Sequence, residues 1–260
     1  FSPLESRTWD RAPDDTGRRR RAGRDRFVGM TEDEQIAATA HWNPTNATGA
    51  WSQKRRLAAA MRLVIERLVP SDAPEDELRL AAEGLERYAD ALTEHPRLRR
   101  VSGSPESANA GDIGAFFDQS PLIGLANPLA PPIRISASGD MTAEGVVTFG
   151  SAYEGPPGCV HGGFIAAAFD EVLGFVQSLG GSPGMTGTLT VKYLKPTPLR
   201  IELVFEARLL RIEGRKIFTE GCVRADGLVT AEATGLFITV DRSKMEALAA
   251  ARDLAEAQRS

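Results

Sequence analysis

Residues 161–171 read HGGFIAAAFDE. An apolar run opens behind one histidine and two glycines, yet it carries two acids, Asp170 and Glu171. Burying a carboxylate without a partner is costly, or it raises the pKa until the group neutralises. A helix that is apolar nearly all round is a buried helix. Either the two acids emerge at an edge of the core, or at least one of them has a task. Helical spacing puts Ala166, Ala167, Leu173 and Gly174 beside Asp170, with Gly163 seven residues back. That face is mostly small and leaves room for a ligand or a partner chain. Glu171 is turned about 100° away, toward Phe164, Ala168 and Phe175, and reads as structural.

Working outward, the helix is expected over about 162–179, stopped by the glycine pair 180–181. PPIRISASGD and AEGVVTFGSAYEG precede it as two strands, split at the Gly139-Asp140 turn. TGTLTVKYLKPTP, ELVFEARLLRIEG, KIFTEGCVRADG and VTAEATGLFITV follow as four more, punctuated by Gly214 and Gly227. Two strands, one apolar helix and four strands make an α+β domain, an antiparallel sheet around a buried helix. The exposed edges of such a sheet call for a cover, so a dimer at least is expected.

Ahead of the domain, WSQKRRLAAAMRLVIERLVP and PEDELRLAAEGLERYADALTEHP read as amphipathic helices. Their stripes are Leu57, Met61, Val64, Ile65 and Leu68, then Leu78, Ala81, Leu85, Tyr88, Ala89 and Leu92. Such helices must pack on each other, on the next domain or on a partner. The expected organisation is a disordered Arg-rich tail over 1–29, a helical extension and linker over 30–110, the sheet domain over 111–242, and a C-terminal helix over 243–260. The chain begins at Phe1, and Met30 is a candidate start.

The net charge is −4 over 260 residues, so nothing points to nucleic acid, which calls for a basic face. No apolar run approaches the roughly 20 residues that span a bilayer. Cys159 and Cys222 match no ligand spacing and read as reduced thiols of a cytoplasmic protein. His41, His95 and His161 form no close ligand set, so no metal is expected.

Three stretches together, DQSPLIGLANPLAPPIRI, GCVHGGFIAAAFDEVLGF and MTGTLTVKYLKPTPL, resemble the hotdog-fold acyl-CoA thioesterases of the PaaI-like branch. The likeness covers about 116–240. It rests on HGG, an Asp nine residues on, and a Thr sixteen residues later opening a strand that ends in a Lys-Pro turn. The resemblance implies a hotdog fold and hydrolysis of acyl-CoA thioesters with no metal or organic cofactor. It also implies a site shared between two subunits of a homodimer or homotetramer. Carried over by position, Asp170 is the general base or nucleophile, the Gly162 N–H polarises the carbonyl, His161 shapes that turn, and Thr186 steadies the water or the acid. Some relatives carry an Asn six positions before the histidine; here that position is Gly155.

A helix start supplies unpaired N–H groups and a positive dipole end, and glycine lets a ligand approach the backbone. Gly163, Glu171 and Asn127 are further candidates for substrate contact. Lys192 and Lys195, with Arg200 nearby, could meet the phosphates of coenzyme A. Dehydratases share the fold but need a different His and acid pattern, which is not visible. A non-catalytic acyl-CoA sensor, or a scaffold built on the N-terminal helices, is the alternative.

Overall fold

A six-stranded antiparallel sheet curls around the HGGFIAAAFDE helix, and two further helices precede it. The structure, a computed structural model, describes residues 49–95, 118–181 and 184–239. The expected tail (1–29), the 101–115 linker and the C-terminal helix (243–260) lie outside the described residues. In chain order the elements are α1 (Gly49–Leu68), α2 (Glu75–Thr93), β1 (Arg134–Gly139), β2 (Thr142–Thr148), a 3-10 turn (Ser151–Tyr153), α3 (Gly162–Ser178), β3 (Gly184–Tyr193), β4 (Glu202–Glu213), β5 (Lys216–Ala225) and β6 (Leu228–Thr239). The two-strand, one-helix, four-strand order expected from the sequence is the order observed.

The strands run β1-β2-β4-β5-β6-β3 across the sheet. Consecutive hairpins build most of it. β3 is the exception: it follows α3 but crosses to the far edge, where it pairs with the last strand. The inner face is lined by Leu203, Phe205 and Ala207 of β4, Ile217 and Val223 of β5, and Ala231, Ala233 and Phe237 of β6, all buried. Against it lies α3, whose Ile165, Ala168, Phe169, Val172, Leu173 and Val176 are no more than 1% exposed. At about 25 cal/mol per Å² of apolar surface removed from water, this interlayer is the main stabilising contact. The approach is close enough to exclude side chains: a Cβ on Gly145 of β2 would lie 2.6 Å from Val172 Cγ2.

Of the packing partners open to the two amphipathic stripes, its own domain is not the one that α1 uses for its apolar side. Both helices form, but the apolar stripe of α1 does not face the domain. Leu57, Met61, Val64 and Leu68 are 37–52% exposed, and of that stripe Ile65 alone is half-buried. The docked stripe is instead Trp51, Arg55, Ala58, Arg62 and Glu66. Trp51 Nε1 and Arg55 Nε each donate to Asp118 Oδ2 at 2.5 Å. Arg62 donates to the Leu125 and Asn127 carbonyls, and Glu66 accepts from the Ser151 N–H and hydroxyl. The domain offers polar groups here, Asp118 among them at 5% exposed. Buried polar groups left unpaired are expensive, so the polar face of the helix is the one that docks. No residue of α2 is buried.

Candidate active site

The site is built around the start and the middle of α3. Its N-cap is His161, an unusual cap, whose Nδ1 accepts from the Gly163 N–H at 3.0 Å. The Phe164 and Ile165 N–H groups turn back to the His161 carbonyl. The Gly162 N–H has no partner among the described residues. The Gly162 carbonyl accepts from the Tyr193 hydroxyl at 2.7 Å, and the Tyr193 ring lies where a Cβ on Gly162 would meet it at 3.3 Å. Tyr153, Phe164 and Phe149 stack edge to face beside this turn, with His161 at 6.3 Å from Phe164. Burial pushes the Tyr153 hydroxyl above the usual phenol range, so it stays protonated. It donates to the Leu129 carbonyl.

Asp170 lies two turns further along α3. Its Oδ1 accepts from Thr186 Oγ1 at 2.8 Å. Thr186 reaches it through a local irregularity in β3. Leu189, Val191 and Tyr193 pair with Gly235, Ala233 and Ala231 on the inner face, but Thr186 pairs with Phe237 and Thr188 with Leu236. Gly187 is therefore an extra residue. A β-bulge re-aims the side chain beside it, and here it brings Thr186 to the side that faces α3. The small residues predicted beside Asp170 (Ala166, Ala167, Gly174) remain partly exposed, so this stripe of α3 is open.

Glu171 is turned into the protein. Burial, and then the adjacent Asp170, push its carboxyl up to about 7; the Ser120 hydroxyl, 3.4 Å from Oε1, works in the opposite direction. Ser120 belongs to the segment that α1 fixes through Asp118.

Other candidates lie apart from this pair. Both ends of the Asn127 amide are engaged in its own loop, donating to the Gln119 carbonyl and accepting from the Leu129 N–H. Lys192 alternates with the inward Tyr193 and is exposed, as is Lys195. Arg200 leaves the Lys-Pro turn to donate to Ser151 Oγ at 2.6 Å. Cys222 is pushed up to about 12 by burial and then by Glu206, so it is no nucleophile. Among the described residues no group of three or more His, Cys, Asp or Glu could hold a metal ion. Two participants escaped sequence reasoning. Tyr193 alternates with Leu189 and Val191 along its strand but carries no signal of a contact with the helix start, and Ser120 carries none at all.

A family model described as the thioesterase superfamily matches residues 157–232, from just ahead of His161 to β6. Acyl-coenzyme A thioesterase THEM4 of Xenopus laevis is 43% identical over 93 residues, 34% of this chain and 41% of that protein. Acyl-coenzyme A thioesterase THEM5 of Homo sapiens is 33% identical over 92 residues, 37% of its length. The chain thus spans about two fifths of the curated relatives it matches. A solved crystal structure described as a thioesterase superfamily protein is 35% identical with a TM-score of 0.65, covering 75% of this chain and 97% of that one. Three quarters of this chain is more than the sheet domain alone, so that likeness reaches into the helices ahead of it.

Proposed function

This chain belongs to the thioesterase superfamily, and from that premise we propose that it hydrolyses acyl-CoA thioesters to the free acid and coenzyme A. The observation that carries this reading is the Thr186–Asp170 hydrogen bond on the open, small-residue stripe of the buried helix. In this reading Asp170 is the general base. Thr186 occupies one carboxylate oxygen and leaves the other to take a proton from water. Water adds to the thioester carbonyl, and the charge that develops on oxygen is met by the Gly162 N–H. The His161 carbonyl, on the same peptide as the Gly162 N–H, turns into the helix to accept from Phe164 and Ile165, so the N–H stays aimed outward, while His161 Nδ1 and Tyr193 fix the next peptide. The adduct then collapses as its carbon–sulfur bond breaks, and the proton held by Asp170 passes to the departing coenzyme A thiolate.

One protomer cannot serve both ends of this chemistry. Gly162 and Asp170 are eight residues apart, about 12 Å along the helix axis, and they sit on different faces. A carbonyl carbon touched by both requires the helix start of one copy and the acid of another. We therefore place the site at a subunit interface, with the free edge of β3, which carries Thr186, as the joining surface. Lys192 and Lys195, exposed on and after that strand, are available to phosphates. The assignment to the PaaI-like branch rests on the same residues. The two free cysteines fit a reducing, cytoplasmic setting. No helix among the described residues is long and apolar enough to cross a membrane.

The test is thiol release from short, long and aromatic acyl-CoA esters by the wild type and by Asp170→Asn. Turnover by the wild type that falls about 10²- to 10⁴-fold in the variant supports a general base. Tight ester binding without turnover by the wild type overturns the reading in favour of a sensor.

A further inference from the structure

The extension carries an apolar surface that the described residues of its own copy do not cover. Eleven large apolar side chains from Leu57 to Leu92 are 37–58% exposed. On α1 the stripe is Leu57, Met61, Val64 and Leu68; on α2, Leu78, Leu85 and Leu92 recur every seventh residue. Both are helical contact stripes, and within one copy neither covers the other. We propose that these two helices dock on the same two helices of a second copy of this chain, α1 of one against α2 of the other.

Charge selects that pairing. Outside the stripe that Arg55, Arg62 and Glu66 give to the domain, α1 carries Lys54, Arg56 and Arg67 and no acid. α2 carries six acids against two cations, Arg79 and Arg87. Two copies of α1 face to face, or two of α2, repel; α1 on α2 attracts along its length. Two such contacts related by a two-fold axis satisfy both stripes of both copies at once. The area is sufficient: the seven stripe side chains expose on the order of 570 Å², against about 450 Å² of apolar surface per partner in a standard stable interface. The inverted docking of α1 fits the same scheme, since its polar stripe holds its own domain and leaves the apolar one outward. This contact uses neither β3 nor any site residue, so it stands independently of the proposed reaction.

The test replaces Leu85 and Leu92, 51% and 50% exposed, in the double variant Leu85→Glu/Leu92→Glu of the full chain. Light scattering should show assemblies with half the copies of the wild type, while the circular dichroism of the sheet is unchanged. In a second experiment, Met61→Cys and Leu85→Cys proteins, both carrying Cys159→Ser, are mixed and oxidised. A disulfide-linked pair joining one variant to the other is expected. A double-Glu variant of unchanged mass, or mixed proteins that never link across copies, overturns the proposal.

Discussion

At the scale of single residues, Gly162 and Glu171 make the sharpest demands. Gly162 is the first residue of α3, and its predecessor His161 is extended at φ −60°, ψ 131°. That is the conformation a following proline favours, and proline is accepted at the first helical position. Gly162→Pro therefore removes one N–H and little else, while Gly162→Ala keeps the N–H and meets the same Tyr193 ring. If the N–H polarises the carbonyl, turnover should fall about 10²- to 10³-fold in the proline variant and far less in the alanine variant. Equal losses in both would assign the residue to packing. Glu171 is held above its ordinary 4.5, at about 7. A raised carboxyl pKa means the native state binds the proton more tightly than the unfolded chain. The stability it contributes is present below pH 4.5 and is lost as pH rises through about 7, a change of about 3 kcal/mol. Urea denaturation across that window should show the loss in the wild type and its absence in Glu171→Gln.

At the scale of elements, legibility followed periodicity. The strands, the apolar α3 and both amphipathic helices were readable because alternation and 3.6-residue spacing are local. The facing of α1 was not. Its stripe announced an apolar contact, but which side docks depends on Asp118, the Leu125 and Asn127 carbonyls and Ser151, distant groups that no local pattern reveals. The bulge in β3 was equally hidden. Strict alternation from Leu189, Val191 and Tyr193 would turn Thr186 away from α3; only the family spacing singled it out. Asp170 and the glycines announced themselves by chemistry at odds with their surroundings, whereas Ser120 is an ordinary loop serine until the loop is placed. If the bulge aims Thr186, deleting Gly187 should cost as much turnover as Thr186→Val, about ten-fold for one lost hydrogen bond. Thr186→Ser should retain most of the activity. A Gly187 deletion with undiminished thiol release would separate the bulge from the site.

At the scale of the whole molecule, a shared site predicts complementation. Asp170→Asn and Gly162→Pro each retain about one hundredth of the rate or less in the proposed reaction. Mixed in one dimer, they leave one site with both defects and one with none. With random pairing, about one quarter of the wild-type rate should return after co-refolding in equal amounts. A site contained within one copy would recover nothing.

The strand order adds a consequence for synthesis. β3 follows α3 directly, but within its own sheet its one partner is β6, the last strand described. On the ribosome, β1, β2, α3, β4 and β5 emerge while the edge that carries Thr186 still has no place to lie. The Thr186–Asp170 contact closes only once β6 has emerged, and such long-range closure is intrinsically slow. A nascent chain halted before Leu228 would display α3 with its acid beside a strand that has nowhere to pair.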